Sequence, residues 1–297
     1  MTDTCHLCYA DLSAAPVVGT LSRHGHASRR VACAQCGLVQ VSPQPSEATL
    51  ALYYESGAYR REYGPLPQRA PSPDGGWIAP DHVMYPEMQR RVGEGYASLV
   101  ANHTAGRDVI DVGCGEGHLV AALSRRGYRV TAIESDRDLS APLVQLPGVT
   151  LYNEPWDRCR SAPVADCVVM LHSLEHFHDP RLALMCARAK LRSSGCLIIE
   201  VPNVLHPYGP LDLWYFQHVH LFDFSASTLS CLLEQTGFRV HEVRETEKVL
   251  LAIAEPSRTP IDAKPPKHQP GQWVAGYLAR YRAEHEEHEE GTRDRSD

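Results

Sequence analysis

The amino-acid sequence predicts an α/β fold: a doubly wound, mostly parallel seven-stranded sheet with a small N-terminal metal-binding ribbon. Three observations lead there. Apolar runs of strand length alternate with helical patterns between residues 108 and 255, the first run empties into a glycine-rich turn, and two Cys-x-x-Cys pairs fall within the first 36 residues. Hydrophobic residues make up 43% of the 297, enough for a sizeable core, so the pattern describes a folded chain.

The elements follow in order. Residues 1 to 41 carry Cys5-x-x-Cys8, Cys33-x-x-Cys36 and β-like runs such as "RRVACAQCGLVQV". Each pair fits one knuckle of a zinc ribbon, and four thiolates close a tetrahedral site with no open position for water, so structural zinc is expected. His6, His24 and His26 offer an alternative ligand set. Residues 42 to 82, rich in Pro, Gly and Tyr, read as a linker with one short helix, "SEATLALYYES". Residues 83 to 255 form the main domain. A helical pattern opens it, followed by "RDVIDVG" (strand), "GHLVAALSRRG" (helix), "YRVTAIES" (strand), "RDLSAPLVQL" (short helix) and "VTLYN" (strand). "ADCVVMLHS" (strand), "PRLALMCARAKLRS" (helix) and "GCLIIEVPN" (strand) come next, then an aromatic and histidine-rich segment over 202–224. The helix "SASTLSCLLEQTG" and an antiparallel pair, "FRVHEVRET" and "KVLLAIAE", close the domain. Strands bracketing helices at this spacing make a parallel sheet covered on both faces. Residues 256 to 297 read as a proline-rich linker, a helix "QWVAGYLARYRAEHEEHEE" with a solvated charged face, and a charged tail.

Charge and cysteine usage narrow the function. The net charge is −7 with Lys and Arg scattered, which argues against nucleic acid or an anionic membrane as partner. No apolar window approaches a membrane span, and the N-terminus lacks a secretory pattern, so a cytoplasmic protein is expected. The cysteines outside the two pairs sit mostly in apolar surroundings, the usage of a reducing compartment.

The glycine turn carries the chemistry. Ligands of open α/β sheets bind at the carboxyl ends of the strands, and the first strand-to-helix turn is the usual contact. The spacing is Gly113-x-Gly115-x-Gly117, and His118 stands where a dinucleotide fingerprint needs its third glycine. Asp111, two residues before Gly113, would repel a pyrophosphate and attract a cation.

"VIDVGCGEG" resembles the first motif of class I S-adenosylmethionine-dependent methyltransferases, and "ADCVVMLHSLEHFHDP" is similar to that family's D-x-V-x-x-x-x-x-LEH-x-x-DP pattern. The resemblance covers about residues 83 to 255 and implies a Rossmann-like methyltransferase fold. It implies Asp111 beside the amino-acid part of the cofactor, with Gly113, Cys114 and Gly115 giving close backbone approach. Glu134, with Ser135 next to it, would take the ribose hydroxyls. Asn153 would stand near the adenine, where many relatives have aspartate. Leu171 and His172 would line the pocket near the methionine portion, His172 being also a catalytic candidate. Glu175 and His176 cap and orient the loop after the fourth strand.

"CAQCGLVQVSPQPSEATLALYY" resembles the zinc ribbon fused to a subgroup that includes deoxysugar C-methyltransferases, in which the ribbon helps enclose the acceptor. The loop after the fifth strand holds His206, Tyr208, Tyr215, His218 and His220. The subgroup's Tyr-His-Glu-His run before Leu-x-x-Phe-Ser aligns His220 with the base and His218 with the first histidine, while Gln217 and Val219 replace the tyrosine and glutamate. Packing is the alternative role for both histidines, as for an acceptor wall of Trp214, Tyr215 and Phe216. His178 and His241 are expected at the surface. The implied function is S-adenosylmethionine-dependent methyl transfer to a small-molecule acceptor, such as a nucleotide-linked sugar (C- or O-methylation). The alternatives are O- or N-methylation of a non-sugar metabolite, which Gln217 and Val219 favour, and a nonenzymatic cofactor-binding scaffold. The oligomeric state is left open.

Overall fold

The computed structural model describes residues 3–23, 26–63, 70–71, 77–78, 85–259 and 261–293. From the N-terminus, β1 (Val17–Arg23), β2 (His26–Ala32) and β3 (Val39–Val41) place the second cysteine pair in the turn between β2 and β3. α1 (Glu47–Glu55) is the helix expected in the linker; Ser46 caps it by accepting from the Thr49 N–H. α2 (Ala58–Tyr63) and the paired two-residue strands β4 (Ala70–Pro71) and β5 (Trp77–Ile78) add to that single helix. α3 (Tyr85–His103) then leads into β6 (Asp108–Val112), α4 (His118–Arg125), β7 (Arg129–Ile133), α5 (Arg137–Ser140) and β8 (Val149–Tyr152). β9 (Ala165–Leu171), α6 (Pro180–Lys190) and β10 (Leu191–Pro202) follow. α6 ends at Lys190, earlier than the helical pattern through Ser193 suggests, because the strand begins at once with Leu191. β11 (Phe222–Asp223), α7 (Ala226–Gln235), β12 (Phe238–Glu245), β13 (Val249–Pro256) and α8 (Gly271–Arg293) complete the chain.

The main sheet has seven strands in the order β12-β13-β10-β9-β6-β7-β8. β6 runs parallel to β7 and β9, and β7 parallel to β8. β12 and β13 form the expected antiparallel hairpin, with a register shift between Val240 and Glu242. The chain leaves β6 for β7 and β8 on one side and returns to β9 on the other, so the order reverses at β6. That reversal puts the functional crevice at the carboxyl end of β6.

The chain divides into two compact units, Pro45–Leu171 with Met185–Ile198, and Met1–Gln44 with His172–Leu184 and Ile199–Asp297. In the first, β6 supplies the buried run Val109, Ile110, Asp111 and Val112. The turn after β6 is held down by the Ile133 carbonyl, which accepts from the N–H groups of Gly113 (2.8 Å) and Cys114 (3.1 Å). Gly117 caps α4 at φ 75°, a left-handed conformation strained for residues with a side chain, and a Cβ there would also push on Leu143 Cδ2 at 2.3 Å.

In the second unit, a four-stranded sheet of order β1-β2-β3-β11 takes its last strand from residues far along the chain, with Phe222 opposite Gln40 and Asp223 opposite Val39. The first half of α8 packs here. Val274 and Leu278 are buried with Val18, Val39, Tyr215 and Phe216, the Tyr281 hydroxyl donates to the carbonyls of Pro207 (3.0 Å) and Gly209 (3.1 Å), and the Tyr277 hydroxyl donates to that of Leu205. Described side chains of this helix thus form a docked apolar face, a role beyond the charged face expected of it.

Candidate functional site

The glycine turn sits between two acids. Asp111 is 3% exposed, and burial, with the charge of Glu134 second, raises its carboxyl to about 7. Glu134, at the exit of β7, accepts from the Gly115 N–H through Oε2 (3.0 Å) and from the Asp136 N–H through Oε1 (2.9 Å). Burial raises it too, with the backbone hydrogen bonds pulling the other way. The Glu134 carboxylate thus braces the turn, and each oxygen keeps lone-pair capacity for a hydroxyl. Burial and the two acids push the Cys114 thiol well above its ordinary range, so it stays protonated. Ser135 is half-buried next in the chain. Asn153 spends both amide hydrogens on the protein, donating to the Glu134 carbonyl (3.0 Å) and to Ser140 Oγ (2.8 Å). What remains is Oδ1, an acceptor suited to an exocyclic amine.

A cationic ligand fits this turn. Two carboxyls held above their ordinary range, one buried and one half-buried, gain from a nearby positive charge, and the left-handed glycines at 113, 115 and 117 leave the backbone bare for close approach. An ammonium and sulfonium ligand with a cis-diol meets both demands.

The second unit gathers histidines and acids. His172, the residue after Leu171, adopts φ 50°, uncommon for a non-glycine residue. Its N–H donates to the Glu200 carbonyl (2.8 Å), Nε2 lies 3.1 Å from Glu200 Oε1 and Nδ1 lies 3.6 Å from Glu175 Oε1. Burial opposes its charge, but the two carboxylates prevail and hold it at about 10. An imidazolium ion-paired with two acids is an orienting group rather than a proton acceptor.

His220 is the opposite case. It is 5% exposed, and burial first, then the charges of His176, Arg30, His172 and His218, keep it well below the ordinary histidine range. The His176 ring meets it edge-on at 4.7 Å, and because a carbonyl only accepts, the His176 Nδ1–H donates to Val219 (3.1 Å). Glu175 is fully buried, with neither carboxylate oxygen hydrogen-bonded among the described residues. A carboxylate oxygen of Glu175 and one ring nitrogen each of His176 and His220 lie within 4.8 Å of one another. A neutral imidazole beside a buried carboxylate can take a proton and have the new charge compensated. His218 is half-buried in the same turn, and His206 is exposed.

The four cysteines converge. Sγ of Cys5 lies 3.5 Å from that of Cys36, Sγ of Cys8 lies 3.4 Å from that of Cys33, and all four lie within 4.8 Å of one another. Zinc–sulfur bonds of about 2.3 Å in a tetrahedron put sulfurs about 3.8 Å apart, so these residues fit a zinc ion. His6 packs its ring against Phe222 at 5.1 Å and stands outside the cluster. His24 and the side chains of His26 and Trp214 lie outside the described residues.

Tyr215 and Phe216 belong to the core, at 0% and 1% exposure, which favours packing over an acceptor wall. His241 is exposed, 3.3 Å from Glu255, whereas His178 is half-buried rather than at the surface. Two participants escaped sequence reasoning. Glu200 was signalled by a lone acid inside the apolar run "GCLIIEVPN", and Arg30, 1% exposed against Asp223, had no signal beyond its place in a strand.

A family model described as a methyltransferase domain matches residues 85–243. A probable S-adenosylmethionine-dependent methyltransferase of Mycobacterium tuberculosis is 31% identical over 153 residues, 48% of this chain and 52% of that protein. The ubiquinone biosynthesis O-methyltransferase of Actinobacillus pleuropneumoniae is 28% identical over 120 residues, 36% of this chain and 51% of that protein. The chain thus spans about half the length of the curated relatives it matches. Among solved structures, the 1,6-didemethyltoxoflavin-N1-methyltransferase of Burkholderia thailandensis shares the fold, with a TM-score of 0.53 at 22% identity over 75% of this chain and 96% of that one. Since the family match spans more than half of its length, the chain belongs to the methyltransferase-domain family and its sheet is a Rossmann-like methyltransferase fold.

Proposed function

We propose that the chain transfers a methyl group from S-adenosylmethionine to a small-molecule acceptor. One observation carries this reading: a buried acid, Asp111, and a half-buried one, Glu134, flank a left-handed glycine turn at the switch point of the sheet. S-adenosylmethionine supplies a methyl group on a positively charged sulfur. Asp111 would face its ammonium, Glu134, which braces Gly115, would accept from the ribose hydroxyls, and Asn153 Oδ1 would accept from the adenine amine. Leu171 would line the methionine portion.

Proton removal is assigned to His220, which burial keeps neutral, with His218 as the rival in the same turn. Much of the rate comes from alignment of the acceptor. Cys5, Cys8, Cys33 and Cys36 would hold a structural zinc. Nucleotide-linked sugars are the first acceptor class to try. Gln217 and Val219 favour a second reading, O- or N-methylation of a non-sugar metabolite, and an O-methyltransferase stands among the relatives.

Calorimetric titration with S-adenosylmethionine tests the reading. Binding is expected, and Glu134→Ala should weaken it by about 1 to 3 kcal/mol, roughly 5- to 150-fold, as the diol loses a charged acceptor. Unchanged affinity would remove Glu134 from the site. A panel of nucleotide sugars, phenols and amines with radiolabelled S-adenosylmethionine then finds the acceptor. Binding without turnover across the panel supports the scaffold reading instead.

A further inference from the structure

Arg30 lies in β2, within the ribbon sheet, and is 1% exposed. Its Nε stands 3.1 Å from Asp223 Oδ2, its Nη2 donates to the carbonyls of His220 (2.9 Å) and Gln217, and its guanidinium sits 4.7 Å over the Phe216 ring. The two carbonyls belong to one turn, closed by a hydrogen bond from the His220 N–H to the Gln217 carbonyl (3.0 Å). The residues that follow are held by the same sheet. The Val41 N–H donates to the Leu221 carbonyl (2.9 Å), and β11 pairs with β3. Cys33 comes three residues after Arg30, and its carbonyl and N–H close the knuckle with Gly37 (2.9 Å) and Leu38 (2.8 Å). The cysteine centre therefore fastens β2 to β3, the two strands that grip the turn bearing His220.

We propose that Arg30 is a positioning residue for His220, and that the four-cysteine centre sets the geometry of this turn through β2. The inference rests on the reading of His220 as the base. A guanidinium suits the task because its planar fork spans a carboxylate and two carbonyls together, which a lysine ammonium cannot do in one fixed orientation. The gain is geometric. A buried ion pair adds little net stability over an apolar pair of similar volume, yet breaking it from one side is costly.

The test uses Arg30→Met combined with Asp223→Leu, so that no unpaired charge is left behind; Arg30→Lys, which keeps the charge, serves where the double variant does not fold. Zinc content and S-adenosylmethionine affinity are expected to stay at the wild-type level. Amide exchange across residues 217–223 should quicken at least tenfold while residues 108–120 are unchanged, and removal of the metal from the wild type by a chelator should give the same pattern. Histidine ring resonances, with His220 assigned through His220→Asn, give a readout that a loosened fold alone does not. The charged and titratable neighbours of His220 are Arg30, Glu175, His172, His176 and His218, and loss of the Arg30 charge should move its titration upward. Wild-type exchange over 217–223 in the double variant, together with an unmoved His220 titration, overturns the role of Arg30; in Arg30→Lys, where the charge and hence the titration are kept, wild-type exchange over 217–223 overturns it alone. If His220→Asn turns over like the wild type, the base reading falls and takes this role with it, even where exchange has quickened.

Discussion

Asp111→Asn probes the glycine turn through stability and binding at once. The Asp111 carboxyl is 3% exposed and is raised from 3.8 to about 7, chiefly by burial. A carboxyl whose native pKa is raised holds its proton more tightly folded than unfolded, so stability falls as pH rises from 3.8 to about 7 and stays reduced above it. A shift of about three pH units at about 1.4 kcal/mol each makes the cost about 4 kcal/mol at pH 8, and about 2 kcal/mol at pH 5, where the interval is only partly crossed. Asparagine has nearly the same shape without the charge. The variant should therefore gain stability over the wild type, by up to about 4 kcal/mol at pH 8 and about half that at pH 5, less whatever its amide leaves unpaired. Binding should move the other way. In the proposed site the cofactor ammonium supplies the charge that the buried carboxylate lacks, so Asp111→Asn weakens S-adenosylmethionine by roughly tenfold or more. Wild-type binding near pH 6.5 should release a proton as the ammonium draws the carboxyl back down. Denaturant titrations at the two pH values and calorimetry in buffers of different ionisation heat measure these effects. A variant no more stable than the wild type at either pH, and binding the cofactor equally well, would refute both the burial cost and the facing charge.

Two further expectations concern the other unit. The purified protein should carry about one zinc per chain, and Cys33→Ser should release it and lower the melting temperature, because metal binding is folding free energy in so small a ribbon; metal analysis without zinc removes the centre. His220→Asn should keep cofactor affinity while lowering turnover roughly a hundredfold with the acceptor that the panel identifies. In the wild type, activity should hold at neutral pH and fall only as pH drops through the lowered His220 value, below the ordinary 6.5. Undiminished His220→Asn activity together with a crippled His218→Asn transfers the base to His218.

Local pattern made the main sheet legible. The strands of "RDVIDVG", "YRVTAIES" and "ADCVVMLHS" are apolar runs whose side chains are covered on both faces, and the structure places them at Asp108–Val112, Arg129–Ile133 and Ala165–Leu171. Non-local pairing was not legible. β11 is two residues long and joins β3 across about 180 residues, so no periodicity announces it, and the grip of Arg30 on the His220 turn is hidden for the same reason. α2, "AYRREY", is too polar and short to show an apolar face. In α8 the signal was present but outweighed by charge: Val274, Leu278 and Tyr281 recur at helical spacing, and these residues dock. For the candidate site, the residue types of Asp111 and the four cysteines suggested a chemistry from the sequence itself, whereas Glu134 was singled out only through the family resemblance. The protonation of the histidines could not be read, since His172 and His220 differ only in their surroundings, two acids for one and dry burial for the other.

The hairpin at the end of the sheet has a consequence for the handling of this protein in solution. An open sheet presents two rows of unpaired backbone groups, each a template onto which a foreign strand can add. Among the described residues the rows belong to β8 and β12. β8 is only four residues long, too short to seat a stable visitor. β12 is twice that length, but it carries Arg239, His241, Glu242, Arg244 and Glu245, and its pairing slips at His241, which bends the strand out of flat register. A strand arriving at that edge would have to desolvate several charges of both signs along a kinked ledge. The order of the sheet thus leaves its two outermost strands the least hospitable to self-association, one by brevity and the other by charge and curvature.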